Sequence, residues 1–379
     1  MKSILLSLFL STGLFSVCAQ QNISSTISHQ GYQREYLVHL PPGYSTSKSY
    51  PVVFVLHGGG IGTGPQIQNY TKFDAIADTA GVISIYPTAL NTNWADGRGN
   101  QSDVDGIDDV GFFAKMIAAI SNDYSIDSTR IFTCGISNGG FMSYRLILEL
   151  SNKFTAAGIV AGSMGPNLVA EFPPARKIPL IIFHGTKDRW VPYDGGQVIF
   201  NRGACIGIDT LLGMWSNHNS CNATPVKTDI PNANLTDLSK VEKYYYNGCD
   251  ADVLFYKIID GGHTWPGANP FPALGNTNKD INASAEIWRF FSDKSLTTTS
   301  NALANSRFIR VYPNPVYETA QFENINPTTP ILFVNKFGKT YRPLITRQNG
   351  QTIEINTSNL PKGYYTIING IKTGVFLKN

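Results

Sequence analysis

The sequence predicts an α/β protein, with a mostly parallel central sheet and helices on both faces, followed by a small all-β sandwich. Three observations carry this prediction. The first is a series of continuous apolar runs: PVVFVLHG (51–58), VISIYP (82–87), RIFTCG (130–135), AAGIVAG (156–162), IPLIIFHG (178–185) and VLFYKII (253–259). Runs without alternation suit strands buried on both faces. The second is the set of amphipathic stretches lying between them, which gives the strand–helix alternation of a parallel sheet. The third is a change of texture after residue 295, where short alternating runs and turn residues replace the helical stretches.

The elements follow in order. REYLVHL (34–40) alternates and reads as an early antiparallel strand. DDVGFFAKMIAAISNDY reads as a helix opened by Asp108 and Asp109 as caps, with Val110, Phe113, Ile117 and Ile120 on its apolar face. NGGFMSYRLILEL is the next helix, and ASAEIWRFFSDK (283–294) closes the first domain, 20–295. SLTTTSNALANS is small and polar and supplies a linker over 296–306. Residues 307–379 carry no His and no Cys and read as the sandwich, with no catalytic set and no tryptophan to stack on a sugar.

Composition narrows the function. The 379 residues hold 30 basic and 27 acidic side chains, a net charge of +3, with 42% hydrophobic and 15% charged residues. That balance gives no case for a nucleic-acid partner and describes a chain with a real core. MKSILLSLFLSTGLFSVCAQ places one lysine before an apolar run too short to span a bilayer. Residues 1–19 therefore read as a signal peptide cut after Ala19, and no stable membrane span is expected. Cys18 also admits a lipid anchor, although Val17 before it fits that pattern poorly. In an oxidising compartment Cys134, Cys205, Cys221 and Cys249 permit three full pairings. Cys134 sits in an apolar run and reads as a buried thiol. Cys221 and Cys249 lie in Asn-rich, loop-like segments and make the favoured pair.

The chemistry centres on Gly135-Ile-Ser137-Asn-Gly139, a G-x-S-x-G run with a strand before it and a helix after it. The motif is weak alone and gains weight from that context. A sharp turn needs glycines where side chains would clash, and it lifts a serine hydroxyl above the sheet. The hydroxyl needs a base, and the order for this fold is Ser, acid, His. His218 and His263 remain after that filter. His263 is favoured because it sits in the Gly-bounded loop after the last apolar strand. Asp188, at the end of PLIIFHGTKD, is the expected acid, with Asp194 as runner-up. His57-Gly58-Gly59-Gly60 follows a strand. Gly58 and Gly59, with the Asn138 amide, are expected to form the oxyanion hole. His57 and His184 read as structural residues at strand ends. Trp94, Trp190 and Trp265 flank these blocks and are the substrate-binding candidates. The acidic run 103–109 fails EF-hand spacing, and no H-E-x-x-H, C-x-x-C or G-x-G-x-x-G is present. No metal and no cofactor are expected.

LHGGG (56–60), NWADGRG (93–99), DDVGFFAKMI (108–117), GISNGG (135–140), FHGTKDRWVPYDGG (183–196) and GGHTWPG (261–267) together resemble the secreted α/β-hydrolase esterases that include polyhydroxybutyrate depolymerases and feruloyl or acetylxylan esterases. The resemblance covers roughly residues 30–295, with every block in order. It implies a Ser-Asp-His triad at Ser137, Asp188 and His263, and it supports a Cys221–Cys249 bridge. VYPNPV (311–316), the FGK turn (337–339) and LPKGYYTI (360–367) resemble the C-terminal sorting domain of the type IX secretion system. That implies export to the cell surface or beyond, with the secretion machinery as partner. The expected function is ester hydrolysis by a secreted serine enzyme acting on polymeric or aromatic esters, polyhydroxybutyrate depolymerase-like. Feruloyl or acetylxylan esterase and aromatic polyester hydrolase are the alternatives. A non-catalytic binder or a peptidase on the same fold are the rivals of other classes.

Overall fold

The structure, a computed structural model, describes residues 21–60, 62–296, 309–312, 316–326, 328–335, 338–350, 352–370 and 372–378. The signal peptide read at 1–19, nearly all of the linker read at 296–306 and parts of the VYPNPV and FGK blocks lie outside the described residues. The chain divides into two compact units, one of Met1–Phe172 and Lys177–Ser295 and the other of Leu296–Asn379 together with Pro173–Arg176.

The first unit carries strands β1 (Gln21–His29), β2 (Tyr32–Leu40), β3 (Tyr50–Leu56), β4 (Ile83–Pro87), β5 (Ile126–Ile136), β6 (Ala156–Val160) and β7 (Leu180–Gly185). A small hairpin of β8 (Gly195–Gln197) and β9 (Ala204–Ile206) follows, then β10 (Val226–Asp229), β11 (Lys240–Tyr246) and β12 (Val253–Ile259). Its helices are α1 (Gly64–Thr71), α2 (Phe73–Ala80), α3 (Gln101–Val104), α4 (Asp109–Asp123), α5 (Asn138–Glu149), α6 (Pro166–Ala170), α7 (Ile208–His218) and α8 (Ala283–Phe291).

The main sheet runs β1-β2-β4-β3-β5-β6-β7-β12-β11-β10. The strands from β4 through β12 in that order are parallel, and these are the continuous apolar runs of the sequence. β1 and β2 add antiparallel pairs at one edge, and β11 and β10 do so at the other. Both faces are covered because alternate residues of each strand point into different cores. Val52, Phe54 and Leu56 join the cluster under α4, α5 and α7, which includes Phe113, Leu146 and Leu211. Val53 and Val55 join the cluster under α1, α2 and α8, which includes Ile67, Phe73 and Phe291. Each fully buried aliphatic or aromatic side chain contributes about 1.5–3 kcal/mol of transfer free energy.

α4 departs from the sequence reading. Asp108 is its N-cap, accepting the Gly111 amide at 2.8 Å. Asp109 is not a cap. It is buried, pairs with buried Arg34 at 2.5 Å and accepts the Ala95 amide at 2.7 Å. The apolar face runs through Phe112, Phe113, Met116, Ile117 and Ile120, with half-buried Val110 packed against the same core. Asp109 joins that buried face because its carboxylate is satisfied inside.

A Cys221–Cys249 disulfide ties the loop after α7 to the loop before β12 across 28 residues of sequence. Cys134 and Cys205 are buried free thiols. Closing a loop of that length removes about 3–4 kcal/mol of unfolded-state entropy on the chain-entropy account. A Cys221→Ala/Cys249→Ala double variant is expected to lose stability of that order in denaturant titrations, with the serine chemistry retained.

The second unit holds β13 (Arg310–Tyr312), β14 (Thr319–Glu323), β15 (Ile331–Asn335), β16 (Thr340–Tyr341), β17 (Leu344–Asn349), β18 (Thr352–Asn356), β19 (Gly363–Asn369) and β20 (Lys372–Lys378). They pair into two four-stranded sheets, β13-β14-β18-β17 and β16-β15-β19-β20. Phe322, Phe333, Tyr365 and Phe376 fill the space within this unit, with Ile353 and Ile367.

Candidate active site

The chain passes from β3 to β4 on one side and then to β5 on the other. The carboxyl ends of β3 and β5 therefore flank a topological switch point, where open α/β sheets place their ligands. Ser137 stands at the end of β5 and the His57-Gly58-Gly59 run stands at the end of β3.

Ser137 has φ 57° and ψ −126°. This is a strained conformation for a residue with a side chain, costing roughly 1–3 kcal/mol. The surroundings fix it. The Ser137 amide donates to the Val160 carbonyl at 2.9 Å, and the Phe141 amide donates to the Ser137 carbonyl at 2.9 Å, starting α5. The two motif glycines are required by contact. A Cβ on Gly139 would lie 2.4 Å from the Leu56 carbonyl oxygen, and one on Gly135 would lie 2.5 Å from the Gly139 carbonyl. β5 and α5 thus approach β3 as closely as backbone permits. Asn138 heads α5, where its amide points out of the helix N-terminus.

The Asn138 side chain is not free for substrate. Its Oδ1 accepts the Trp94 amide at 2.7 Å, and its Nδ2 donates to the Trp94 carbonyl at 3.0 Å and to Asp96 Oδ2 at 2.6 Å. Asp96 in turn binds Arg98 through Nε at 2.9 Å and Nη2 at 2.7 Å, and Arg98 lies 3.9 Å over the Phe141 ring. The NWADGRG block is a buried brace for the elbow.

His263 sits in the loop after β12. Its amide donates to the Leu274 carbonyl at 2.6 Å, and the neighbouring Gly262 amide donates to Asn276 at 2.9 Å. His263 Nδ1 donates to Asp188 Oδ2 at 2.8 Å. Asp188 follows β7, and its other oxygen accepts the Trp190 and Val191 amides at 2.8 and 2.9 Å. Burial alone would raise the Asp188 carboxyl. The charge and hydrogen bond of His263, with His184 and the Val191 amide, outweigh it and hold the group below the usual carboxylate range. With its proton held on Nδ1, His263 leaves Nε2 as a proton acceptor. Trp190 stacks on the imidazole, 5.6 Å between centroids at 8°.

A cleft of ≈ 440 Å³ brings these parts together. Ser137, Gly58, Gly59, Asn138, His263 and Trp190 all line it. Asp188 stands behind His263, buried. Asp194, the alternative acid, is exposed. His218 ends α7 and packs against Phe172 and Trp215, 5.5 and 6.2 Å between ring centroids.

Two of the expected substrate-binding residues are corrected. Trp94 and Trp265 are fully buried, at 0% and 1% exposure, and do not line the cleft. Trp94 donates its indole N–H to the His57 carbonyl at 3.0 Å. Trp265 donates to Ser284 Oγ at 3.1 Å. Each anchors the loop that carries a functional residue. Their large rings are better used as core than as cleft wall.

His57 is buried and neutral. The Ala89 amide donates to Nε2 at 3.0 Å, so the proton is on Nδ1, which donates to the Gly58 carbonyl at 2.7 Å. A trans peptide turns its N–H opposite to its C=O. The Gly59 N–H is thereby aimed away from the His57 ring. Burial pushes the His57 imidazole down to about 4, against a weaker upward pull from the Gly58 carbonyl. The unfolded chain takes up this proton near 6.5, whereas the folded one refuses it until about 4. The stability is therefore complete above 6.5 and is lost as pH falls toward 4, by about 3 kcal/mol at the lower end. Unfolding free energy measured between pH 7 and 4.5 is expected to fall accordingly, with a shallower slope in His57→Gln.

Sequence reasoning missed several wall residues. Phe271, 56% exposed, lines the cleft with Tyr70 and Arg202, and Phe200, 68% exposed and outside the lining itself, meets the lining residue Trp190 edge-on at 5.7 Å. They lie in loops with no periodic pattern, and only tertiary placement reveals them. Asp96 and Arg98 were visible as a charged pair in a Gly-bounded block, but spacing alone could not show them buried.

The chain is similar to known proteins in both of its units. Residues 34–169 match the sequence model of the family described as Esterase PHB depolymerase. Residues 310–376 match the secretion system C-terminal sorting domain. Feruloyl esterase C of Emericella nidulans is 26% identical over 279 residues, covering 69% of this chain and 91% of that protein. Feruloyl esterase D of Neurospora crassa is 24% identical over 282 residues, covering 72% and 85%. Among solved structures, the acetyl xylan esterase from Aspergillus awamori matches with a TM-score of 0.50 at 15% identity, covering 72% of this chain and 99% of that one, which supports the α/β fold.

Proposed function

We propose that this chain is an exported serine carboxylic-ester hydrolase working through Ser137, His263 and Asp188. One observation carries the reading: a serine on a strained elbow and an imidazole oriented by a buried carboxylate line the same apolar cleft. His263 Nε2 takes the Ser137 proton as Oγ attacks the ester carbonyl. The developing oxyanion is held by the Asn138 amide at the α5 N-terminus and by the Gly58/Gly59 backbone. The alcohol leaves with the proton from His263. Water, deprotonated by the same imidazole, then releases the acid from the acyl-enzyme.

The acyl group is proposed to be an apolar chain or an aromatic ring, as in polyhydroxybutyrate or feruloylated and acetylated polymers. The cleft favours it, since Tyr70, Trp190 and Phe271 bring half-buried to exposed rings to the cleft that holds the nucleophile. The sorting-domain match over 310–376 supports export through the type IX machinery to the surface or medium, where such polymers are met. The test is a parallel assay of ferulate release from bran, acetate release from xylan and dissolution of polyhydroxybutyrate and aromatic polyester films. Turnover of at least one, together with hydrolysis of 4-nitrophenyl butyrate, is the expected result. No turnover of any ester by folded protein would refute the reading.

A further inference from the structure

Arg202 stands out on the wall of the cleft. Two guanidiniums line it, from Arg98 and Arg202. Arg98 is consumed by its buried bond to Asp96. His57 is held neutral, and His263 is matched by Asp188. Arg202 is different. Among the described residues no carboxylate lies within ion-pair distance of it, and its guanidinium carbon lies 5.6 Å from the centre of the Phe200 ring. The guanidinium sits beside the oxyanion loop, since a Cβ on Gly60 would meet Arg202 Nη2 at 3.2 Å.

The turn that presents it is built for presentation. Phe200 and Asn201 both have left-handed φ, 59° and 53°, in residues other than glycine. That strain is tolerated because backbone hydrogen bonds pin the base of the turn. The Val198 amide donates to the Gly203 carbonyl at 2.9 Å, and the Ile199 amide donates to the Trp190 carbonyl at 3.0 Å. Strained positions of this kind collect at ligand sites.

We propose that Arg202 forms a carboxylate subsite, so that the preferred substrate is an ester bearing a free carboxylate remote from the scissile bond. This rests on the ester-hydrolase reading and specifies its substrate class. A guanidinium flanked by an aromatic face and a largely apolar cleft is less screened than one in water, and it matches a carboxylate through two parallel N–H···O bonds. The chemistry is self-consistent. Each cleavage of a polyester of hydroxy acids creates a shorter chain ending in carboxylate, and a dicarboxylic ester leaves a half-ester. Both are soluble esters of the form this subsite would select over polymer interior.

The test compares matched esters on wild type, Arg202→Gln and Arg202→Lys. On the acyl side the pair is 4-nitrophenyl hydrogen adipate against 4-nitrophenyl hexanoate. On the alcohol side it is the butyrate ester of 4-hydroxybenzoate against that of methyl 4-hydroxybenzoate. The readout is the ratio of kcat/KM for the anionic member to that for the neutral one. Arg202→Gln is expected to lower this ratio about 10-fold or more in one pair, the size of a lost charge-assisted hydrogen bond. Which pair responds assigns the carboxylate to acid or alcohol. Arg202→Lys is expected to recover part of it, and 0.5 M salt to shrink the wild-type ratio. An unchanged ratio in Arg202→Gln for both pairs, with neutral esters still turned over by wild type, would overturn the subsite and leave the esterase reading intact. Wild type inert on every ester would overturn both.

Discussion

Ser137→Ala is expected to lower kcat/KM for 4-nitrophenyl butyrate by on the order of 10⁴- to 10⁶-fold, with the fold intact. The backbone of residue 137 is fixed by the Val160 carbonyl and by the first turn of α5, and neither bond uses the hydroxyl. The elbow therefore persists without its nucleophile. A second variant separates chemistry from strain. Ser137→Gly removes the same oxygen but accepts φ 57° without steric cost. It is expected to match Ser137→Ala in lost rate while unfolding about 1–3 kcal/mol later in denaturant. Retained hydrolysis in both variants would mean that another residue attacks the ester.

Asp188→Asn is expected to cost about 10⁴-fold in kcat while keeping the cleft geometry. An amide at this position still offers one oxygen to the Trp190 and Val191 amides. Its NH₂, however, donates to His263 Nδ1 where the carboxylate had accepted. The imidazole proton then moves to Nε2, and the base facing the cleft is occupied. The carboxylate also links this site to pH. Its folded pKa lies below the ordinary 3.8, so its contribution to stability is present above that value and is lost as pH falls through the folded one. Asp188→Asn is expected to remove that acid-side loss, read from unfolding midpoints between pH 5 and 3.

Legibility of the fold in the sequence followed the strength of local patterns. Strands such as β12 and β7 were readable because both faces are buried, so each is a continuous apolar run. The edge strands were not. β10 is exposed along its whole length, and β11 reads KVEKYYY with charges that face solvent, so neither carries a burial signal. α4 was found with its apolar face, and only Asp109 was misread, because it hides a buried ion pair under the appearance of a cap. At the site, the elbow was legible since its strand, its glycines and its helix are consecutive in the sequence. The tryptophans were not, because composition near a motif cannot distinguish a ring facing the cleft, as in Trp190, from one bracing the loop, as in Trp94 and Trp265. Arg202 and Phe200 belong to a turn whose role depends on where the β8–β9 hairpin is carried by the fold.

The most direct measurement of the central claim is peptide mapping by mass spectrometry after brief treatment with a fluorophosphonate. One adduct on the peptide containing Ser137 is expected, formed at a rate that collapses in Asp188→Asn and His263→Ala although the serine is untouched. Labelling of a different residue, or labelling of Ser137 at undiminished rate when the imidazole is removed, would contradict the account.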